Sequence, residues 1–244
     1  MSKPAFVPLN SKQHAKLSYS PQTDYSFTAE QTIVPLMNFE VIRAAECFPV
    51  IFPDAKSVVP YAMLGLGNRN IFVDDKGHWN APYLPLMIAN HPFALIEAHF
   101  TEASDKKSEI AIGIAENAPH FTQDNGQRLF KEKGEATETL QHIREALMAQ
   151  FRRHESLQPS LEELVSFTCL KESVLEVTCA GKTKSVGGLR CVDRKVIMSL
   201  PESTLGHLVQ TGVMGILYAH WNSLRHLQRL LEDPSCPESL KNQE

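Results

Sequence analysis

The sequence has no long apolar run. Its longest in a helical setting is Val213-Met-Gly-Ile-Leu-Tyr-Ala219, between Gln210 and His220. That is far short of the ~20 residues needed to cross a bilayer, so no membrane span is expected. Residues 1–10, Met-Ser-Lys-Pro-Ala-Phe-Val-Pro-Leu-Asn, lack the apolar stretch of roughly 7–15 residues that marks a secretory signal. A dense block of one charge is also missing: 24 basic residues stand against 28 acidic ones, and Lys106-Lys107 and Arg152-Arg153 are isolated pairs. Nucleic-acid binding calls for a basic stripe that neutralises phosphates, so no nucleic-acid partner is expected. Five widely spaced cysteines, Cys47, Cys169, Cys179, Cys191 and Cys236, form no Cys-x-x-Cys pair. A structural zinc site lacks its usual spacing, and neither a metal nor a cofactor is expected. Most of these thiols sit in apolar stretches, where cysteine behaves as a small buried hydrophobe. Reduced thiols and the missing signal together point to a cytoplasmic location.

What is present reads as a globular α+β protein. Hydrophobic residues make up 43% and charged residues 21%, enough apolar surface to build a core in a chain of 244 residues. Residues 1–30 are polar, carry Pro4, Pro8 and Pro21, and read as an extended arm. Residues 31–232 read as one domain, and residues 233–244 as a polar tail with Pro234 and Pro237. The apolar spacing over 34–46 predicts a helix opened by Pro35. Residues 48–53 and 58–66 read as strands. Ile71-Phe-Val73, then Asp74-Asp-Lys-Gly77 and Trp79, has the signature of a hairpin whose glycine supplies the positive φ. Strands over 93–100 and 109–116 flank a polar loop at 101–108.

Residues 137–154 predict a helix with Leu140, Ile143, Leu147 and Phe151 on one face. Ser160 and Glu163 form the pattern of a capping box that would open another short helix. Residues 174–179 and 183–192 bracket a turn at Ala180-Gly-Lys182. A second capping pattern, Ser199 to Glu202, precedes apolar residues three or four apart from Leu205 to Leu231. These form one long amphipathic helix, or a helix pair if Gly212 ends the first. Strands with short polar turns, interrupted by helices, favour a mainly antiparallel sheet with helices packed on it. Ile71-Phe72…Gly77 and Leu129-Phe130…Gly134 are a faint echo of each other, better explained by shared turn chemistry than by duplication.

No residue set compels a reaction. Gly65-Leu-Gly67 lacks the third glycine and the following helix of a dinucleotide loop, and suits a tight strand-to-strand turn. His220 and His226 are six apart and face different sides of a helix, so they cannot share an ion. His220 falls on the apolar face, where a hydrogen-bonded core histidine is the simplest reading. Asp74-Asp75 and Glu162-Glu163 are explained by a turn and a helix start. The densest aromatic and polar stretch runs from His78 to Phe93. Trp79, Tyr83, His91 and Phe93 there, with His220, are the candidate ligand- or partner-binding residues. Rigid aromatics with a few polar groups make preformed sites, and an irregular core plug is the competing explanation.

Ordered motifs run along nearly the whole chain. They include Glu40, Pro49-Val-Ile-Phe52, Gly65-Leu66, Asn70-Ile-Phe-Val-Asp74, Gly77-His-Trp79, Tyr83-Leu-Pro85 and His91-Pro-Phe93. Leu129-Phe130, Gly134-Glu135, Gly188-Leu189, Val192-Asp193 and Tyr218-Ala-His-Trp-Asn-Ser-Leu224 follow. The chain thereby resembles the SapC-like bacterial family, named for a surface-layer-associated protein and distinct from the peptide-transporter permease of the same name. Family members commonly place arginine just before the His-Pro-Phe element, where this chain has Ala89-Asn90. The resemblance implies little mechanism; with no catalytic constellation beside it, it leans toward an accessory protein that acts through a protein partner in nutrient uptake or at the cell envelope, and leaves enzymatic activity open. A small-molecule ligand is compatible with it. The rival expectations are an enzyme with His220 or His91 beside a carboxylate such as Glu40, Asp74 or Asp193, and a surface-layer structural protein.

Overall fold

The computed structural model describes residues 6–236, apart from 54–55, 103–104, 123–125 and 180–181. In chain order the first elements are β1 (Val7–Pro8), β2 (Ser18–Tyr19), β3 (Ile33–Pro35), α1 (Val41–Ala44), β4 (Val50–Ile51) and β5 (Tyr61–Met63). Next come α2 (Leu86–Ala89), β6 (Phe93–Glu102), β7 (Asp105–Ile114), β8 (Phe121–Thr122), β9 (Gln127–Arg128) and α3 (Glu138–Ser166). The remainder are β10 (Leu170–Cys179), β11 (Lys182–Val192), α4 (Arg194–Met198), α5 (Glu202–Gln210), α6 (Val213–Ser223) and α7 (Leu227–Glu232). Among the described residues all strand pairs are antiparallel. Helices and antiparallel sheets therefore coexist, and the α+β expectation holds.

The chain divides into two compact units, each with its own apolar core. Unit 1 comprises residues 1–23 and 89–152, and unit 2 comprises residues 24–88 and 153–244. In unit 1 the sheet β1-β7-β6 and the small sheet β8-β2-β9 surround Phe93, Ile114, Leu129, Phe130, Leu140 and Leu147. Two short strands of the N-terminal stretch are paired: Val7 faces Ile114, and β2 lies between β8 and β9, with turns over 11–16 between them and a 3-10 turn at Ser26–Thr28 after them. The polar segment expected as a loop at 101–108 is mostly strand, because β6 and β7 keep their register out to Glu102 and Asp105.

Unit 2 holds the sheet β3-β5-β4, the hairpin β10-β11 and the C-terminal helices around a larger core that includes Phe48, Phe52, Phe72, Leu161, Leu164, Leu217 and Leu227. Trp79 packs against this core, as do residues of α6 and α7. The hairpin carrying Trp79 forms as expected, with Val73 bridged to Trp79 and Gly77 at φ 80°. Gly65 allows a close approach, since a Cβ there would lie 1.9 Å from the carbonyl oxygen of Arg69. The helix pair forms too: Gly212, at φ 81°, separates α5 from α6. The expected turn at 180–181 and the tail beyond 236 lie outside the described residues.

Three local expectations are overturned. The helix expected over 34–46 shrinks to α1, a 3-10 turn at Asn38–Glu40 precedes it, and Ile33–Pro35 is a strand. Val34 pairs with Ala62 and Leu36 donates its N–H to Pro60, so sheet pairing outweighs the helical spacing. Ser160 opens no new helix. The helix α3 runs on through Pro159, and the expected capping box lies in its interior. Ser199 likewise caps nothing: its hydroxyl donates to the carbonyl of Val196, closing α4, and α5 begins after Pro201.

Candidate functional site

Glu40, in unit 2, is a buried carboxylate, only 2% exposed. It closes a 3-10 turn, and three donors converge on it. Its Oε1 accepts the Met37 N–H at 2.7 Å, and its Oε2 accepts the Tyr83 hydroxyl at 2.5 Å and the Leu86 N–H at 3.0 Å. Burial pushes the carboxyl pKa up, and these three hydrogen bonds pull against that rise. The Tyr83 phenol is pushed above its usual range by burial first and by the Glu40 carboxylate second. Trp79 donates its ring N–H to the Tyr83 carbonyl at 2.8 Å, and its ring packs among Tyr25, Phe48 and Phe72. Trp79, Tyr83 and Glu40 thus form one connected knot with its polar atoms joined to each other and to backbone.

His220 is fully buried on α6 and holds two strands. Its Nδ1–H donates to the Val50 carbonyl at 2.7 Å, and its Nε2 accepts the Val192 N–H at 3.1 Å. Two neighbours on the same helix complete the pattern. The Ser223 hydroxyl accepts the Val50 N–H at 2.9 Å, and the Trp221 ring N–H donates to the Val192 carbonyl at 2.8 Å. Both backbone groups of Val50 and both of Val192 are therefore satisfied by α6 side chains, which fasten that helix to the ends of β4 and β11. Burial lowers the His220 pKa to about 4, against the raising effect of the Val50 carbonyl. The imidazole stays neutral with each nitrogen in use.

His91 and Phe93 belong to unit 1, whereas Trp79, Tyr83 and His220 belong to unit 2. Phe93 is 4% exposed and packs edge-on against Tyr19 and Phe121. His91 lies 5.2 Å from His120, ring centre to ring centre, and its pKa is lowered to about 4 by burial first and by His120 second. Asn90 pairs its amide with that of Gln150 on α3, at 2.6 and 3.4 Å.

Histidine–carboxylate pairs form at histidines that the sequence did not single out as site candidates. His78 meets Asp74 at 3.1 Å, in an exposed turn. His14, 5% exposed, has its Nδ1 within 3.0 Å of the Asn10 N–H and 3.1 Å of the Asn10 carbonyl, and its Nε2 3.0 Å from the Glu116 carboxylate. The Glu116 side chain is half-exposed, 52%, and opens on a shallow cleft of about 270 Å³ shared with Gln13, Lys16, Leu17 and Asn117. A second cleft of about 340 Å³ runs between β10 and the start of α7, lined by Leu175, Val177, Leu224, Arg225, Leu227 and their neighbours. The partners His14–Glu116 and His91–His120 are far apart in sequence, and no local pattern announces either pair. Among the described residues, no group of three histidine, cysteine or acidic side chains is placed to hold a metal ion, and no helix is long and apolar enough to cross a membrane. The Cys169 and Cys191 thiols are buried, and burial raises both pKa values to about 11.

Fold and site together define an α+β protein of two cores whose buried polar side chains fasten strands to helices. The profile of the SapC family matches residues 9–230, and the chain belongs to that family. Neither a curated protein nor a solved structure matches it.

Proposed function

We propose that this SapC-family chain is a non-enzymatic accessory protein that works in the cytoplasm by binding a protein partner, in nutrient uptake or at the cell envelope. The observation that carries the reading is how its chemically capable side chains are used. Glu40 receives three donors, and both nitrogens of His220 are bound to strand ends. These groups hold the fold together, and what is left for function is surface. The surface-layer association of the family resemblance supports the envelope setting, and the buried thiols of Cys47, Cys169 and Cys191, none of them in a disulfide among the described residues, suit a reducing compartment. The test is affinity purification of the tagged protein at native expression level. A second protein should co-elute in near-equimolar amount, and elution of the chain alone from every growth condition would sink the reading.

A second reading, an enzyme with a histidine–carboxylate site, is favoured by one arrangement: the His14–Glu116 pair on its cleft. The buried imidazole fixes the orientation of a carboxylate that solvent and small molecules can reach. Glu116→Gln should then abolish any turnover found for the protein without changing its melting temperature. Unchanged turnover in that variant would remove the pair from consideration.

A further inference from the structure

The helix α6 is buried along one side, through Val213, Met214, Ile216, Leu217, His220 and Ser223. Its opposite side presents Gly215, Tyr218 and Asn222 to solvent. Tyr218 is 43% exposed and packs edge-on against Trp221, with ring centres 5.4 Å apart. The guanidinium of Arg194, at the start of α4, lies 5.8 Å from the centre of the Tyr218 ring and 5.4 Å from that of Trp221. A guanidinium over an aromatic ring still has N–H donors to offer a carboxylate. Among the described residues no carboxylate pairs with Arg194, with its exposed neighbour Lys195, or with the exposed Arg225, which follows Trp221 by one helical turn. Three cationic side chains without a carboxylate partner among the described residues thus lie on or beside this face, in a chain of net charge −4.

Gly215 is a second, independent sign. A glycine inside a helix costs stability relative to alanine and is kept where something approaches closely. Here a Cβ would meet only the Cδ1 of Ile42, at 3.8 Å, so this chain's own packing does not demand the glycine. Ile42 is itself 52% exposed. Gly215 therefore leaves a shallow notch between an exposed isoleucine and an exposed tyrosine. Tyrosine, tryptophan and arginine are also the residue types that dominate binding energy at protein interfaces.

We propose that this face of α6, together with Arg194, docks an acidic segment of the partner protein. Carboxylates of that segment meet Arg194 and Arg225, and one of its apolar side chains enters the notch at Gly215 against Ile42 and Tyr218. The proposal rests on the partner-binding reading and names the surface and the chemistry of its ligand. The test places a benzoylphenylalanine photo-crosslinker at the exposed Asn222 position and maps adducts formed in the native cells by mass spectrometry. The expected adduct joins α6 to a net-negative segment of a different protein. Its yield should fall at least tenfold in Arg194→Glu and in Gly215→Leu, while both variants melt at or above the temperature of the parent. An adduct to a second copy of this chain would overturn the proposal, as would one to a segment that is not acidic, or a yield that neither variant lowers. If a stoichiometric partner co-purifies but no adduct forms at 222, the surface is wrong and the partner-binding reading stands. If no partner co-purifies at all, both fail.

Discussion

The turn at 72–80 in unit 2 and the turn at 129–137 in unit 1 close with the same backbone bonds. Asp74 donates to His78, Gly77 to Asp74 and Asn80 to Phe72; in the other turn Lys131 donates to Glu135, Gly134 to Lys131 and Thr137 to Leu129. Each has one bridge, Val73 to Trp79 and Phe130 to Ala136, and each has a glycine near φ 80°. The two turns differ in what they carry. In unit 2 the return residue is a tryptophan wedged into an aromatic cluster, and Asp74 braces the turn by accepting from Lys76 and His78. In unit 1 the return residue is alanine, and the chain runs straight into α3, where the Thr137 hydroxyl accepts the Leu140 N–H. The same turn chemistry thus closes a core in one place and starts a helix in the other, because the side chains after the glycine differ.

Breaking the staple at His220 should show most clearly that unit 2 depends on buried polar fastening. His220→Ala leaves the Val50 carbonyl and the Val192 N–H without partners and opens a cavity, a loss of about 4 kcal/mol. Hydrogen exchange should accelerate most in β4 and β11, and equal acceleration in β6 and β7 would refute the assignment. Acid should act on the same point. The folded-state pKa of His220, about 4, lies below its unfolded value of roughly 6.5, so the unfolded chain binds the extra proton. Stability is then complete above about pH 6.5 and falls by about 3 kcal/mol as pH drops toward 4. His91 adds to the loss in the same direction and window, by less because it is partly exposed. Urea midpoints that do not fall between about pH 7 and pH 4.5 would contradict this.

Trp79→Ala should cost about 2 kcal/mol, less than a fully buried tryptophan because the residue is only partly buried. Ala136, at the matching position of the other turn, should tolerate serine with little change in melting temperature, which sharpens the contrast. The smallest effect separates the two glycines. Both Gly77→Ala and Gly134→Ala meet an unfavourable φ, but at Gly77 the new Cβ would lie 1.9 Å from the Asp24 carboxylate, which caps Ser26. At Gly134 it meets the Ser11 hydroxyl at 3.3 Å. The first should cost about 1 kcal/mol more than the second, and equal melting temperatures would show that Asp24 yields freely.

Much of this was legible in the sequence. The Trp79 hairpin, the β6–β7 and β10–β11 pairs and the helix pair divided at Gly212 follow from apolar periodicity and glycine placement. The echo between the two turns was visible too, though the hydrogen bonds align Phe72-Val73 with Leu129-Phe130, one residue from the apparent match. Local pattern failed where tertiary pairing decided the outcome. Leu36, Phe39 and Ala45 fit a helix by spacing, but Val34 at the head of the segment is claimed by β5 and the Leu36 N–H by Pro60. Pro159 and the Ser160–Glu163 pattern signal a helix start, yet Leu140, Leu147 and Leu161 keep one face of α3 buried on both sides of the proline. His220 was legible as a hydrogen-bonded core residue, but its partners, Val50 and Val192, were not. Trp79 and Tyr83 share a knot, as their closeness in sequence suggested, whereas His91 and Phe93 fall in the other unit because the chain crosses over at residues 88–89.

Both tryptophans, Trp79 and Trp221, lie in unit 2, and of the five tyrosines only Tyr19 lies in unit 1. Intrinsic fluorescence is consequently a one-sided reporter. Selective excitation of indole will follow the larger body alone, while loss of order around Phe93 and Leu129 leaves that signal unmoved. A melt followed by indole emission and one followed by far-ultraviolet dichroism will coincide only if the two bodies come apart together.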